Sequence, residues 1–211
     1  MARGRIKSSD VSGRDRLMAS ARQLFMERGA ANVGINEVID HAGVARMTLY
    51  NNFASKEELV LAVYGEMTAK IMETLSSTVD KAATESERVL ALFDKVLSQA
   101  EGYGYRGCPL IHASLQMAEI HGPLYDLVRR YKQDLRAYIL GLLDEDRAQP
   151  EMIADQILLL LDGATTEAYL KAVSTPLRSG KAAAMALLSV GETQTKPRKR
   201  RNASRKAASP R

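Results

Sequence analysis

Tryptophan is absent from this 211-residue chain, Phe occurs three times and Cys once. One cysteine closes no internal disulfide, so a stapled secreted module is excluded and a reducing compartment is expected. The histidines, His41, His112 and His121, are scattered. Cys108 and His112 stand one helical turn apart, but two ligands fall short of a metal site. No cofactor, no metal and no catalytic triad is expected, and without paired acid and base groups an enzyme is not expected either. Long apolar runs are missing too. Ile157 to Leu161, the longest aliphatic stretch, is far below the roughly 20 residues that span a bilayer. Met1 to Lys7 is basic, yet no apolar segment follows it, so neither a secretory leader nor membrane contact is expected. A cytoplasmic protein is the simplest inference.

Ala, Leu, Glu, Lys and Arg are plentiful, which favours helices. The net charge of +5 is unevenly placed. Residues 1–16 hold five Lys or Arg against two Asp, and residues 192–211 hold eight against Glu192, which leaves −5 for the stretch between. An acidic body with cationic ends suits a polyanionic partner reached by those ends.

Residues 34–59 organise the rest. Ile35, Val38, Ile39 and Ala42 fall at i, i+3, i+4 and i+7, one apolar stripe of a helix. Gly43 can take positive φ and turn the chain. Val44, Leu49 and Phe53 then face inward, leaving Arg46, Met47, Thr48, Tyr50, Asn51 and Asn52 outside. Those side chains can meet base edges and phosphates, so the pattern is a helix-turn-helix whose second helix reads DNA.

The same stretch resembles the DNA-binding signature of TetR-family transcriptional regulators. The resemblance is carried by Ala42-Gly43-Val44, Thr48-Leu49-Tyr50, Phe53 and Ser55-Lys56-Glu57-Glu58-Leu59. The preceding helix, closing on Phe25-Met26-Glu27-Arg28-Gly29, is similar to that family's first helix. The resemblance spans roughly residues 12 to 64. Two positions depart from it: Gly34 replaces the usual Thr or Ser, and Ala45 the usual Ser. Both are N-caps, and Ala there costs about 1 kcal/mol. The resemblance implies that Arg46 and Met47 meet bases while Thr48, Tyr50, Asn52 and Lys56 hold the backbone. By chemistry, Arg46 suits guanine, Met47 a thymine methyl and Asn51 adenine. Gly34, at the start of the first of the two helices, completes the expected contact set.

The remaining segments read as helices. Ser12 caps one with Leu17, Ala21, Leu24 and Phe25 inward, ended by Gly29. Ser55 with Glu58 caps a long one through Leu59, Val63, Met67 and Ile71 to about Val79. Glu85 to Glu101 buries Val89, Leu92, Phe93, Val96 and Leu97. Gly102-Tyr-Gly104-Tyr-Arg-Gly107 spells a dinucleotide-loop pattern, but no strand precedes it. Cys108-Pro109 opens a helix with Leu110, Ile111, Leu115 and Ala118 inward, and Gly122-Pro123 opens another through Leu142. Ile153 to Val173 is apolar nearly all round, and Ser179 to Val190 is Ala-rich. These last two are expected to pack against their copies in a homodimer as a four-helix bundle, as the resemblance also implies.

The expected fold is all-α with about nine helices. Residues 1–11 form a flexible basic arm, 12–54 a three-helix helix-turn-helix head, 55–191 a helical ligand-binding and dimerisation body, and 192–211 a disordered basic tail. Tyr105, Cys108, His112, Gln116, Tyr125 and Glu167 are polar residues in apolar surroundings and are the candidates to line a pocket for a small-molecule effector. Cys108 also falls at an N-cap, where a thiolate is favoured and His112 one turn on would add to it; a sensor and a core filler both remain open. The expected function is a ligand-responsive transcriptional repressor released from a palindromic double-stranded DNA operator. An enzyme with a helix-turn-helix appendage and a sequence-blind DNA-coating protein are the alternatives.

Overall fold

The structure, a computed structural model, describes residues 11–79, 84–102, 105–116 and 122–192. The basic arm up to residue 10, all but the first residue of the tail, and Ala118 lie outside them. Among the described residues there are nine α-helices and no strand. No helix among them is long and apolar enough to cross a membrane.

The first four helices follow from their caps. In α1 (Gly13–Arg28) the Ser12 hydroxyl accepts the Asp15 N–H at 3.1 Å, and Gly29 at φ 81° ends the helix by donating to the Phe25 carbonyl. A single 3-10 turn, Ala30–Asn32, leads to α2 (Ile35–Ala42). There Gly43 takes φ 61° and donates to Asp40, while Val44 donates back to Ile39. This is the paired closure that a left-handed residue makes at a helix end. α3 (Arg46–Asn52) is short, and Ala45 gives it no side-chain cap. α4 (Lys56–Val79) begins with the Ser55 hydroxyl accepting the Glu58 N–H at 3.1 Å. The Glu58 carboxylate does not return to Ser55, as a simple capping box would have it; it reaches the Ala54 N–H at 2.5 Å. That extra residue ties the α3–α4 connection to the α4 start.

α5 (Glu85–Ala100), α6 (Pro109–Gln116), α7 (Pro123–Leu142), α8 (Pro150–Lys171) and α9 (Thr175–Glu192) complete the chain. Thr84 and Glu87 form a reciprocal capping box on α5. α9 starts four residues before the expected Ser179, because Pro176 sits inside its first turn, where a missing N–H costs nothing. Leu115 was expected inward but is 78% exposed; α6 offers only Leu110 and Ala113 fully to the core.

α4 is the spine. At 24 residues it is about 36 Å long, and it packs on α1 at one end and on α5 and α7 further along. The Phe25 and Tyr64 rings stack at 6.3 Å between α1 and α4. Burial there pushes the Tyr64 phenol up to about 12, so it stays neutral. The Tyr138 hydroxyl donates to the Leu75 carbonyl and pins α7 to the last turns of α4. The main hydrophobic core joins residues from Leu17 to Leu188, and a second, smaller cluster gathers Ala164, Ala168 and Leu177. α8 and α9 touch closely at Gly180, where an added Cβ would meet the Ala164 Cβ at 2.8 Å.

Candidate functional site

The turn between α2 and α3 is held from outside. Arg16, on α1, forks onto the Ala42 carbonyl with Nε at 3.1 Å and Nη2 at 2.7 Å, and also donates to the Gly43 carbonyl. Helix C-termini leave such carbonyls unpaired, and a cation suits their negative dipole end. Arg14 lies over the Phe53 ring at 5.4 Å and steadies the end of α3. An added Cβ at Gly13 would meet the Thr48 methyl at 2.5 Å, so α3 seats against the start of α1 only because residue 13 is glycine. Arg28 pairs with Glu37, joining the end of α1 to α2, and holds that carboxyl below its usual range. None of Arg16, Arg14 or Gly13 is singled out by the sequence pattern. The only cue is their place on the first turn of a capped helix.

Against that support α3 presents Arg46, Met47, Tyr50 and Asn51 to solvent, Met47 at 68% exposure. The Arg46 guanidinium rests 5.8 Å over the Tyr50 ring. Gly34 is exposed at the N-cap of α2, and Lys56 is half-buried in the first turn of α4. Two expectations need correction. Thr48 and Asn52 are not outside: both are half-buried, Thr48 against Gly13, and Asn52 donates through Nδ2 to the Thr48 carbonyl at 2.7 Å. Seven residues make under two turns, so the flanks of α3 fold back against its neighbours.

A cavity of about 200 Å³ lies further along, walled by α4, α5, α7, α8 and the segment entering α6. Tyr105, Tyr131, Cys108 and Thr165 supply polar groups, and Ile71, Leu75, Val96, Leu135 and Leu161 the apolar wall. The Tyr105 hydroxyl is buried and makes no hydrogen bond of good geometry. The Thr165 hydroxyl, which donates to the Leu161 carbonyl at 2.6 Å, is its nearest polar neighbour but falls short of hydrogen-bond geometry. Burial raises the Tyr105 phenol, and burial followed by the nearby Cys108 and Asp162 raises that of Tyr131. Both therefore enter the cavity as neutral O–H donors. Lys132 pairs with Asp162 at 2.5 Å in the wall.

Of the six residues expected to line an effector pocket, this cavity brings together Tyr105 and Cys108. His112 instead faces a separate recess of about 130 Å³ between α6 and the end of α1, its ring edge-on to Tyr169 at 4.8 Å. Cys108 does precede Pro109 at the α6 start, but His112 serves the other side and is no partner for its thiol. Tyr125 is exposed, and Glu167 lies on the outer face of α8, paired with Lys171. The side chain of Gln116 lies outside the described residues. Missed were Tyr131, which reads as a core position of α7, and Lys95, Lys132, Asp162 and Thr165, which read as solvated helix faces.

The family model described as bacterial regulatory proteins, tetR family, matches residues 17–63. Over 94 residues the chain is 33% identical to the HTH-type transcriptional activator FasR of Mycolicibacterium smegmatis, which covers 43% of each chain. It is 29% identical over 117 residues to the HTH-type transcriptional repressor DhaR of Mycobacterium sp. (strain GP1), covering 55% of this chain and 56% of that one. The chain thus spans about half the length of these curated relatives. Among solved structures, a putative TetR transcriptional regulator from Streptomyces avermitilis is similar with a TM-score of 0.76 at 26% identity. It covers 86% of this chain and 99% of its own.

Proposed function

Because this chain belongs to the TetR family of transcriptional regulators, we propose that it is a homodimeric repressor that holds a palindromic double-stranded operator and lets go when a small molecule enters its body. The observation that carries this reading is the open face of α3, with Arg46, Met47, Tyr50 and Asn51 exposed on a helix braced from behind. Arg46 takes a guanine edge, Met47 a thymine methyl and Asn51 an adenine. Tyr50, Lys56, the Thr48 hydroxyl and the backbone at Gly34 take phosphates. Asn52 has spent one of its two N–H donors on α3 itself, so it positions more than it contacts. Residues 12–54 act as the head and 55–191 as the body, and the arm and tail add sequence-blind, salt-sensitive affinity.

Release follows from α4. It opens beside the DNA face at Lys56 and walls the cavity at Ile71 and Leu75. A ligand that prefers another tilt of α4 lowers operator affinity by its differential binding energy, and the operator weakens the ligand equally. Sequencing genomic fragments captured by the purified protein tests the reading: one short palindrome is expected, and fragments without a shared site would overturn it. On that operator Arg46→Ala is expected to cost about 1–3 kcal/mol and to relax one position in each half-site. Lys56→Ala should weaken all sequences alike and flatten the salt slope by about one unit. Competition binding at several salt concentrations separates the two.

Dimerisation is supported by the outer face of α8. Met152, Leu159 and Thr166 recur every seven residues, with Gly163 and Leu170 four residues after the last two, and all are exposed. That is a seam at coiled-coil spacing with no partner in the monomer. A groove of about 710 Å³ between α8 and α9 continues it, lined by Leu159, Gly163, Val173 and Ala183. Leu159, 71% exposed, faces no core in the monomer, so Leu159→Glu should leave the fold intact and yield a monomer by analytical ultracentrifugation. Two heads must sit about 34 Å apart to reach successive major grooves, so operator binding should fall with the dimer. A dimeric Leu159→Glu variant would remove α8 from the interface.

A further inference from the structure

We infer that the cavity among α4, α5, α7 and α8 selects a small organic monoanion, about one ring in size, that carries its charge at the mouth and a carbonyl acceptor at the inner end. This rests on the reading of that cavity as the effector site. Size comes first. At about 200 Å³ the space lies below the roughly 300 Å³ where drug-sized pockets begin, so long acyl chains and multi-ring effectors do not fit.

Charge comes next. Three lysines line the wall, Lys70, Lys95 and Lys132, against the single carboxylate of Asp162. Asp162 is taken by Lys132, and Lys70 is turned to Glu73 at 2.7 Å on the exposed side of α4. Lys95 is half-buried, lines the cavity and, among the described residues, makes no ion pair. A lysine that lines a cavity and has no acidic partner among the described residues favours an anion in that space. A cationic or zwitterionic ligand would bring a second uncompensated positive charge to the same wall.

The inner end is set by Tyr105. Its buried hydroxyl lacks a hydrogen bond of good geometry, and its phenol is held neutral, as is that of Tyr131. Neutral phenols in an apolar wall donate, and a buried donor without an acceptor is costly. A ligand carbonyl supplies that acceptor, and its ring lies along the aliphatic wall between the two ends. The chemistry is therefore that of a keto- or acyl-substituted aromatic or cyclic carboxylate.

Calorimetry on the full-length protein tests this with three probes of one shape: 4-acetylbenzoate, its neutral amide 4-acetylbenzamide, and 4-ethylbenzoate, which lacks the carbonyl. The acetyl acid is expected to bind at least about tenfold more tightly than either of the others. Lys95→Met, which keeps the stem, should abolish the preference for acid over amide and leave that for acetyl over ethyl. Tyr105→Phe should do the reverse. An amide that binds as well as the acid, an acid preference that survives Lys95→Met, or no heat from any probe at about 10 mM would overturn the inference. Because the titration uses protein without DNA, it is independent of the regulatory reading. Adding the acid to a protein–operator mixture tests that reading separately: a probe that binds as expected but leaves the operator bound would sink effector control and leave the ligand class standing.

Discussion

Replacing Arg147 by Met is expected to cost about 3–5 kcal/mol of folding stability, out of a total of about 5–15 kcal/mol for a domain of this kind. Arg147 and Glu85 form the most deeply buried ion pair in the described chain, with side chains 4% and 7% exposed. The Arg147 Nε donates to Glu85 Oε1 at 2.9 Å, and Nη2 donates to Oε2 and, at 2.9 Å, to the Leu188 carbonyl. The Asp144 N–H closes on the same Glu85 oxygen at 3.1 Å. One contact thus joins the start of α5, the α7–α8 connection and the last turns of α9. Met fills a similar volume but leaves a carboxylate buried without its cation, and that residual charge is what makes the change severe. Urea unfolding of Arg147→Met beside Arg147→Met/Glu85→Gln checks the cause. The double variant should recover part of the loss, since it removes the stranded charge; a double variant no more stable than Arg147→Met would mean the cost is packing. Lys70→Ala, which breaks an exposed pair with Glu73, should fall within about 1 kcal/mol of zero.

That buried pair was illegible in the sequence, and the reason is general. Glu85 and Arg147 are 62 residues apart, and each sits where a helix pattern begins or ends. Periodicity reports which face of one helix is apolar, not which distant charge meets it. The first four helices were legible because their determinants are local: Ser12, Gly29, Gly43 and Ser55 each act within four residues of their own position. The later segments were legible as helices but not as a packing. Leu115 and Tyr125 carry apolar bulk at helical spacing yet point outward, while Lys95 and Asp162 read as solvated charge and line a cavity. On α3 the periodic stripe correctly placed Leu49 and Phe53 in the core. It misjudged Thr48 because the seat made by Gly13 belongs to another helix, and Asn52 because its amide folds back onto the Thr48 carbonyl.

Replacing Arg16 by Met should lower operator affinity by about tenfold to a hundredfold, the worth of one or two charge-assisted hydrogen bonds. Arg16 differs from every residue on the outer face of α3, because it is spent on protein. Its fork closes on the carbonyls of Ala42 and Gly43, the two groups that end α2 and set the direction in which α3 leaves. Gly43 meets this fork at φ 61°, and an added Cβ there would come within 3.0 Å of the Arg16 Nη2. The turn is therefore fixed by a glycine from inside and by an arginine from α1. Without the fork α3 still folds, since Leu49 and Phe53 remain buried, but its angle to α2 loosens. Base contacts tolerate such loosening poorly, because a bidentate pair needs both distances at once. A phosphate contact made by Arg16 would give a similar loss of affinity, and two measurements separate the causes. In the positioning account Arg16→Lys fails to restore binding, because an ammonium cannot span both carbonyls, and the salt slope of Arg16→Met stays that of the parent. In the phosphate account Lys restores most of the affinity and the slope of Arg16→Met falls by about one unit. Anisotropy titrations of the three proteins at four salt concentrations decide it, and rescue by Lys would place Arg16 among the DNA contacts and leave Gly43 to set the turn alone.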